Sequence, residues 1–117
     1  MRCALESIAL KYRWVLERLE EITATHFERI HIIGGGTQNT LLNQFTADAT
    51  QCTCLTGPVE ATALGNMLMQ GIALGHIASL EYARNLVSKS FPPSVYQPGE
   101  AKDWDQAYMR LLEMMSR

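Results

Sequence analysis

The stretch Ile30-His31-Ile32-Ile33-Gly34-Gly35-Gly36-Thr37-Gln38-Asn39 decides how this chain folds. Its β-branched opening predicts a buried strand over Ile30–Ile33. Three glycines end that strand, and apolar residues then recur at helical spacing from Leu41. A second strand is predicted over Gln51–Leu55, so the segment has the form of a β-α-β unit. In such a unit the glycine run lies at the carboxyl edge of a parallel sheet, where ligands bind.

The glycine run has the chemistry of a phosphate or nucleotide contact. Glycine lets a ligand approach the backbone closely, and the unpaired N–H groups at a helix start attract anions. The motif is neither a Rossmann nor a Walker loop, because Asn39 stands where G-x-G-x-x-G needs its third glycine and G-x-x-x-x-G-K-[ST] occurs nowhere. A tight strand-to-helix turn that binds nothing is the alternative.

The remaining elements are predicted to be helices, which gives the order α-β-α-β-α-α-α and an α/β fold class. Local signals mark several predicted helix ends. Thr37 is predicted to cap the start of the second helix and Ser79 the start of the fourth. Gly75 is predicted to end the third helix. The predicted ranges are about 2–24, 60–74, 79–89 and 102–115 for the first, third, fourth and fifth helices. Three prolines predict that Ser90–Gly99 is a surface loop with no regular element.

The first helix is strongly amphipathic. Its predicted inner face is apolar, and charged residues fill the other side; the apolar set is Leu5, Ile8, Tyr12, Val15, Leu16, Leu19 and Ile22. Two short parallel strands need both faces covered and more strands beside them. We therefore expect this chain to be part of a larger domain, and we expect its exposed apolar surface to make it self-associate.

Composition excludes several classes of function. A formal net charge of −2 supplies no electrostatic reason to bind nucleic acid or an anionic membrane. Three cysteines are an odd number for a disulfide scaffold, and Cys52 and Cys54 are predicted to be buried on one face of a strand. No spacing of Cys, His, Asp or Glu predicts a metal site. No Ser, Cys or His set has the arrangement of a catalytic site, so no catalytic residue is predicted in this chain.

Three blocks, residues 30–39, 41–49 and 57–66, occur in the order and at the spacing typical of one family. The sequence resembles the C-terminal region of the FGGY family of carbohydrate kinases over nearly its whole length. The resemblance implies a partial actin-like ATPase domain of the ribonuclease H-like type, helix-rich with a short parallel β-α-β unit. Residues 1–117 would be a C-terminal fragment of the nucleotide-binding domain, without the N-terminal sugar-binding domain.

The resemblance also implies the site. Gly34, Gly35 and Gly36 match the family's adenosine motif, with Gly35 the best candidate for a nucleotide contact, and Asn39 matches a position that can reach the adenine edge. The cofactors implied are ATP and Mg²⁺, the metal being held with parts of the enzyme outside this chain. The family's phosphate-binding loop and its proton-accepting aspartate also lie outside it, so the chain alone is predicted to be inactive. The implied location is the cytoplasm.

The implied substrate is L-rhamnulose, bound through the missing N-terminal domain and phosphorylated to L-rhamnulose 1-phosphate. Two alternatives stay open. One is an FGGY kinase for another sugar, such as L-fuculose or xylulose. The other is a non-catalytic interaction module that has kept the scaffold of a nucleotide site.

Overall fold

The computed structural model describes residues 1–117, with five α-helices and three strands. Their bounds are α1 Arg2–Thr23, β1 Arg29–Ile32, α2 Thr40–Thr50, β2 Thr53–Thr56, α3 Ala61–Ala73, α4 Leu80–Ser90, β3 Ser94–Tyr96 and α5 Lys102–Met115, and a 3₁₀ turn spans Gly35–Gln38. The predicted α/β class and its β-α-β unit are confirmed. The prediction of a buried first strand is wrong, because β1 alternates between exposed and half-buried residues.

The three strands form one sheet in the order β1-β2-β3. Two hydrogen bonds show that β1 and β2 are parallel: Thr53 N donates to Glu28 O at 3.1 Å, and four residues later Gly57 N donates to Ile32 O at 2.7 Å. The carboxyl ends of β1 and β2 therefore lie at the same edge of the sheet. The glycine run follows one of these ends directly, as the sequence predicts.

Strand β3 contradicts the prediction that Ser90–Gly99 is an irregular loop. The Thr56 hydroxyl donates to Ser94 O, and the Thr53 hydroxyl donates to Gln97 Oε1, so β3 runs antiparallel to β2. The prolines lie outside the three paired residues of β3. An edge strand pairs on one side only and tolerates such flanking prolines.

The helix boundaries follow their capping residues. Ser79 caps α4 by accepting a hydrogen bond from Tyr82 N, and Gly75 takes a positive φ of 76° just beyond α3, both as predicted. The prediction that Thr37 caps α2 is wrong. Thr37 lies inside the 3₁₀ turn, where its hydroxyl donates to Gly34 O, and Asn39 is the N-cap of α2. The 3₁₀ turn delays the start of the helix by two residues, from a cap at Thr37 to a cap at Asn39.

The chain divides into two compact units. The first comprises 1–30, 39–55 and 95–117, and the second comprises 31–38 and 56–94. The core of the first unit is formed by α1, α2 and α5, with the fully or nearly fully buried side chains of Ala9, Leu10, Phe45, Ala49 and Tyr108. Cys52 and Cys54 are also buried there, at 4% and 0% exposure, which confirms the predicted burial of both. Only Cys54 lies in a strand, because β2 begins at Thr53.

Helix α1 presents the opposite face from the one its sequence predicts. Five members of the predicted inner face are exposed: Ile8, Tyr12, Val15 and Leu19 at 40–46%, and Ile22 at 81%. We call these five residues the α1 stripe. Within the first unit the helix instead packs through Ala9 and Leu10, and a polar network that includes Arg13 joins it to α5. The expectation of a buried stripe is wrong for this chain.

Candidate functional site

The loop after β1 begins with Gly34, whose backbone has a conformation that only glycine adopts without strain. Gly34 has a φ of +80°, in the left-handed region. Its N–H donates to Pro58 O at 3.0 Å, which ties the loop to the segment that follows β2. Its carbonyl accepts from both the N–H and the hydroxyl of Thr37, at 3.2 and 2.7 Å. The second unit therefore contains a closed, hydrogen-bonded turn at the sheet edge.

Gly57 allows the segment after β2 to lie against this loop. A Cβ at Gly57 would come within 2.9 Å of the Ile33 side chain, closer than real Cβ contacts. The missing side chain lets Gly57 N reach Ile32 O and brings Pro58 O to Gly34 N. The sequence was interpreted only as a turn at this point. A glycine directly after the second of two parallel strands is the sequence signal that could have predicted this close approach of the two loops.

Gly35 and Gly36 differ from the other two glycines, because nothing inside the chain requires them. A Cβ at either position would meet no atom within 4 Å, and neither has a positive φ. Both residues are exposed. Their missing side chains leave the loop backbone open to whatever lies above it, which is the arrangement that close contact with a ligand needs.

The N-terminus of α3 belongs to the same unit and begins three residues after Pro58. Its N-cap residue Glu60 makes no side-chain capping hydrogen bond. Glu60 therefore does not cap the first-turn N–H groups of α3, and uncapped groups at a helix start favour anions.

Asn39, the fourth predicted site residue, belongs to the first unit. Its side-chain Oδ1 accepts a hydrogen bond from Leu42 N at 3.0 Å, which caps α2. The residue is exposed, and its amide group can still donate. Asn39 thus has a structural role that the sequence did not predict for it.

The loop of residues 34–38 contains no ionisable side chain, so it cannot supply a general acid or base. No three His, Cys, Asp or Glu side chains in residues 1–117 are grouped so as to hold a metal ion. Burial, followed by the nearby Cys52 and Asp48, raises the pKa of the Cys54 thiol to about 11, so this thiol stays protonated and unreactive at neutral pH. None of the helices has the length and apolar character needed to span a membrane.

The first unit contains a separate open cleft of about 520 Å³. Aromatic rings of Phe45 and Trp104, with centroids 5.4 Å apart, form part of its wall, and charged side chains including Arg110 lie around it. None of the predicted site residues lines this cleft. The cleft supplies an internal comparison for the binding experiments below.

An open glycine loop at the carboxyl edge of parallel strands is typical of nucleotide-binding α/β proteins. The sequence model for the FGGY family of carbohydrate kinases, C-terminal domain, matches residues 1–74. The chain belongs to this family, so the resemblance that the three sequence blocks indicate is confirmed. The small sheet and the surrounding helices are its part of the family's actin-like ATPase fold.

Its curated relatives include several proteins named rhamnulokinase. That of Bacteroides thetaiotaomicron is 44% identical over 109 residues, covering 93% of this chain and 22% of the relative. Those of Enterococcus faecalis and Bacillus subtilis are 41% and 43% identical, covering 93% and 90% of this chain. The matched regions make up 23% and 21% of the length of these two relatives. The chain thus spans about a fifth of the length of these relatives.

Proposed function

We propose that this chain forms one wall of the ATP site of an FGGY carbohydrate kinase that converts ATP and L-rhamnulose to ADP and L-rhamnulose 1-phosphate. In this proposal residues 1–117 are a C-terminal part of the nucleotide-binding domain. The sugar binds to an N-terminal domain that these residues do not include. The reaction is a step of rhamnose breakdown in the cytoplasm.

The observation that carries the proposal is the open backbone at Gly35 and Gly36. Two other glycines are required by the fold of the chain itself. Gly34 has a positive φ, and a side chain at Gly57 would collide with Ile33. Gly35 and Gly36 have neither reason. A flat adenine ring lying against the loop accounts for two exposed residues that carry no side chain.

The chain's own groups have defined roles in this proposal. The backbone of Gly34–Gly36 contacts the adenosine, and the amide of Asn39 donates to an acceptor on the adenine edge. The first-turn N–H groups of α3 favour the phosphates. ATP supplies the phosphoryl group, while the Mg²⁺ ligands and the proton acceptor come from other parts of the enzyme.

The identity of the sugar rests on the relatives, since no sugar-contacting residue is assigned in this chain. Three of the relatives described above carry the name rhamnulokinase, at 41–44% identity. Kinases for L-fuculose or xylulose are the alternatives within the family. We also expect the chain to self-associate in solution, because many large apolar side chains are exposed.

Equilibrium dialysis with radiolabelled ADP tests the nucleotide role. The wild-type chain should show weak, saturable binding, and Gly35→Val should weaken it about tenfold or more, because the branched side chain occupies the face that the ligand needs. Valine should not disturb the fold, since a Cβ at Gly35 meets nothing within 4 Å. Gly75→Asn is the matched control, because asparagine tolerates the positive φ at a glycine outside the loop. Equal binding by wild type and Gly35→Val would contradict the proposal.

A second experiment tests whether the catalytic groups lie outside residues 1–117. The chain incubated with ATP, Mg²⁺ and L-rhamnulose should release no ADP above the enzyme-free rate, because it contains no proton acceptor at the loop. Sustained turnover that depends on L-rhamnulose would show that the catalytic groups lie within residues 1–117. A full-length rhamnulokinase relative serves as the positive control.

A further inference from the structure

Glu60 is an isolated charge beside the glycine loop. It is the only Asp, Glu, Lys or Arg in residues 30–47 and 56–80, which include the loop and α3. Its side chain is exposed, makes no hydrogen bond or ion pair in this chain, and does not cap the helix that it begins. Both carboxylate oxygens of Glu60 therefore keep their full capacity to accept hydrogen bonds.

Backbone contacts hold the segment that carries Glu60 against the glycine loop. Gly34 N donates to Pro58 O at 3.0 Å, and Val59 O lies 4.0 Å from the position that a Cβ on Gly34 would occupy. Glu60 follows Val59 directly and is the N-cap of α3. Because β1 and β2 are parallel, Glu60 lies at the same edge of the sheet as the open glycine backbone, so a ligand on that backbone is close to the carboxylate.

The order of groups along this edge matches the order of groups in a nucleotide. In the proposed function, on which this inference rests, the open loop takes the adenine ring and the first-turn N–H groups of α3 favour the phosphates. Glu60 comes between the segment tied to the loop and the first turn of α3. In a nucleotide the ribose likewise lies between the base and the phosphates, so the ribose is the part nearest to Glu60.

The chemistry of a carboxylate also favours the ribose. The phosphates carry negative charge and acceptor oxygens, so they repel it. The 2′ and 3′ hydroxyls are two donors on neighbouring carbon atoms, and the two oxygens of one carboxylate can accept from both. In dinucleotide-binding α/β proteins an acidic residue about twenty positions after the glycine loop, at the end of the next strand, binds the ribose. Glu60 comes 25 residues after Gly35 and four residues after the end of β2.

We propose that Glu60 accepts hydrogen bonds from the ribose hydroxyls and thereby makes the site selective for ribonucleotides over 2′-deoxyribonucleotides. The absence of a capping bond is part of this role. A side chain folded back onto the N–H groups of α3 would occupy the groups that favour the phosphates, and it would leave less acceptor capacity for the sugar. Glu60 is in this account a specificity-determining residue, with no part in moving a proton.

Competition dialysis of the chain tests this selectivity. Unlabelled ADP and unlabelled 2′-deoxy-ADP each displace radiolabelled ADP, which gives the ratio of their dissociation constants. Wild type should prefer ADP about tenfold or more, because 2′-deoxy-ADP lacks a hydrogen bond to a charged group. Glu60→Gln should lose most of this preference, since an amide has one acceptor oxygen and no charge. Glu81→Gln is the matched control: it makes the same change at an exposed residue in the first turn of α4, in the same unit, and should keep the preference.

The outcomes separate this inference from the proposed function. Equal binding of the two nucleotides by wild type, or an unchanged preference in Glu60→Gln, would overturn the role of Glu60, while weakened ADP binding by Gly35→Val would still support the nucleotide loop. Equal weakening of both nucleotides by Glu60→Gln would also overturn it, because the carboxylate would then act on the base or the phosphates. A wild-type chain that binds no ADP would overturn both proposals. Far-UV circular dichroism checks that Glu60→Gln keeps its helices, and the wild-type preference does not depend on any substitution.

Discussion

At the residue scale, a network of polar contacts in the first unit joins α1 to α5. The Tyr108 hydroxyl, on a residue 3% exposed, donates to Glu17 Oε2. The guanidinium of Arg13 lies 4.3 Å from the centre of the Tyr108 ring and donates to Asp105 at 2.7 Å and to Glu17 at 3.2 Å. Burial lowers the pKa of Arg13, but the bonds to Asp105 and Glu17 outweigh it, and the pKa is raised. This network explains why a charged face of α1 packs inward.

Replacing Tyr108 by phenylalanine should lower the free energy of unfolding by about 1–3 kcal/mol at pH 7, since it removes a hydrogen bond to a charged group and leaves Glu17 without that donor. Urea unfolding followed by circular dichroism measures the change. Tyr82→Phe is the control, because Tyr82 is 56% exposed and only its backbone N–H is hydrogen-bonded to Ser79. Equal stabilities of Tyr108→Phe and wild type would contradict the role of this hydroxyl.

The same pair predicts a dependence on pH. Burial first, then the hydrogen bond to Glu17 and its charge, raises the pKa of Tyr108 from 10 to about 12. A raised folded-state pKa means that the neutral hydroxyl stabilises the fold fully below pH 10, and that this contribution is lost as the pH rises to about 12. The stability difference between wild type and Tyr108→Phe should therefore shrink between pH 10 and pH 12. A difference that stays constant over this window would contradict the assignment.

Single residues show where sequence reasoning stops. The carboxylate of Asp48 lies near the end of α2, where the helix dipole disfavours a negative charge, so it needs hydrogen-bond donors there. Its partners are Gly99 N and Gln44 Nε2, both 2.8 Å from Oδ1. Gln44 could have been predicted from the sequence, because it lies four residues before Asp48 on the same helix. Gly99 was not, because it is distant in sequence and only the tertiary fold brings it near.

At the element scale, α3 contains two glycines in different surroundings. A Cβ at Gly65 would meet nothing within 4 Å, whereas a Cβ at Gly71 would lie 2.8 Å from Cδ1 of Ile77. Close packing therefore accounts for the glycine at Gly71 but not for the glycine at Gly65 in this chain.

The comparison gives a matched pair of variants. Gly65→Ala should raise the free energy of unfolding by about 0.5–1 kcal/mol, because alanine has the higher helix propensity at an open position. Gly71→Ala should gain less or lose stability, since Ile77 must move. Thermal melts of the two variants under one set of conditions test this. A larger gain for Gly71→Ala than for Gly65→Ala would contradict the packing.

Elements defined by local signals were predictable, and elements defined by distant partners were not. The bounds of α5 and the Ser79 cap of α4 follow from spacing and capping within the segments themselves. Strand β3 is only three residues long and exists because β2 offers a free edge, which no local pattern reveals. The open state of Gly35 and Gly36 is likewise a property of their surroundings, so the sequence predicted the loop but not its exposed face.

At the scale of the whole molecule, the two units differ in how much they bury. The first unit contains the apolar core around Leu10, Phe45 and Tyr108. In the second unit only Thr56 and Ala83 are buried, and α3 has no buried residue. The α1 stripe is also exposed in this chain. An FGGY kinase of the relatives' length has more chain with which to cover such surfaces.

Hydrogen exchange should follow this difference. Backbone amides in the middle of α2 should exchange more slowly than those in the middle of α3, by about tenfold or more, because local opening costs less where few side chains are buried. Mass spectrometry of peptides from the two helices measures the rates in one sample. Equal protection of α2 and α3 would contradict a weaker second unit.

An ADP titration of the isotope-labelled chain, followed through its backbone amide NMR signals, tests the proposal that the open glycine loop is a nucleotide surface. Shifts should be concentrated at Gly35, Gly36 and Asn39, and Gly35→Val should abolish them. A folded spectrum that does not change with ADP, or shifts confined to the cleft beside Phe45 and Trp104, would contradict it.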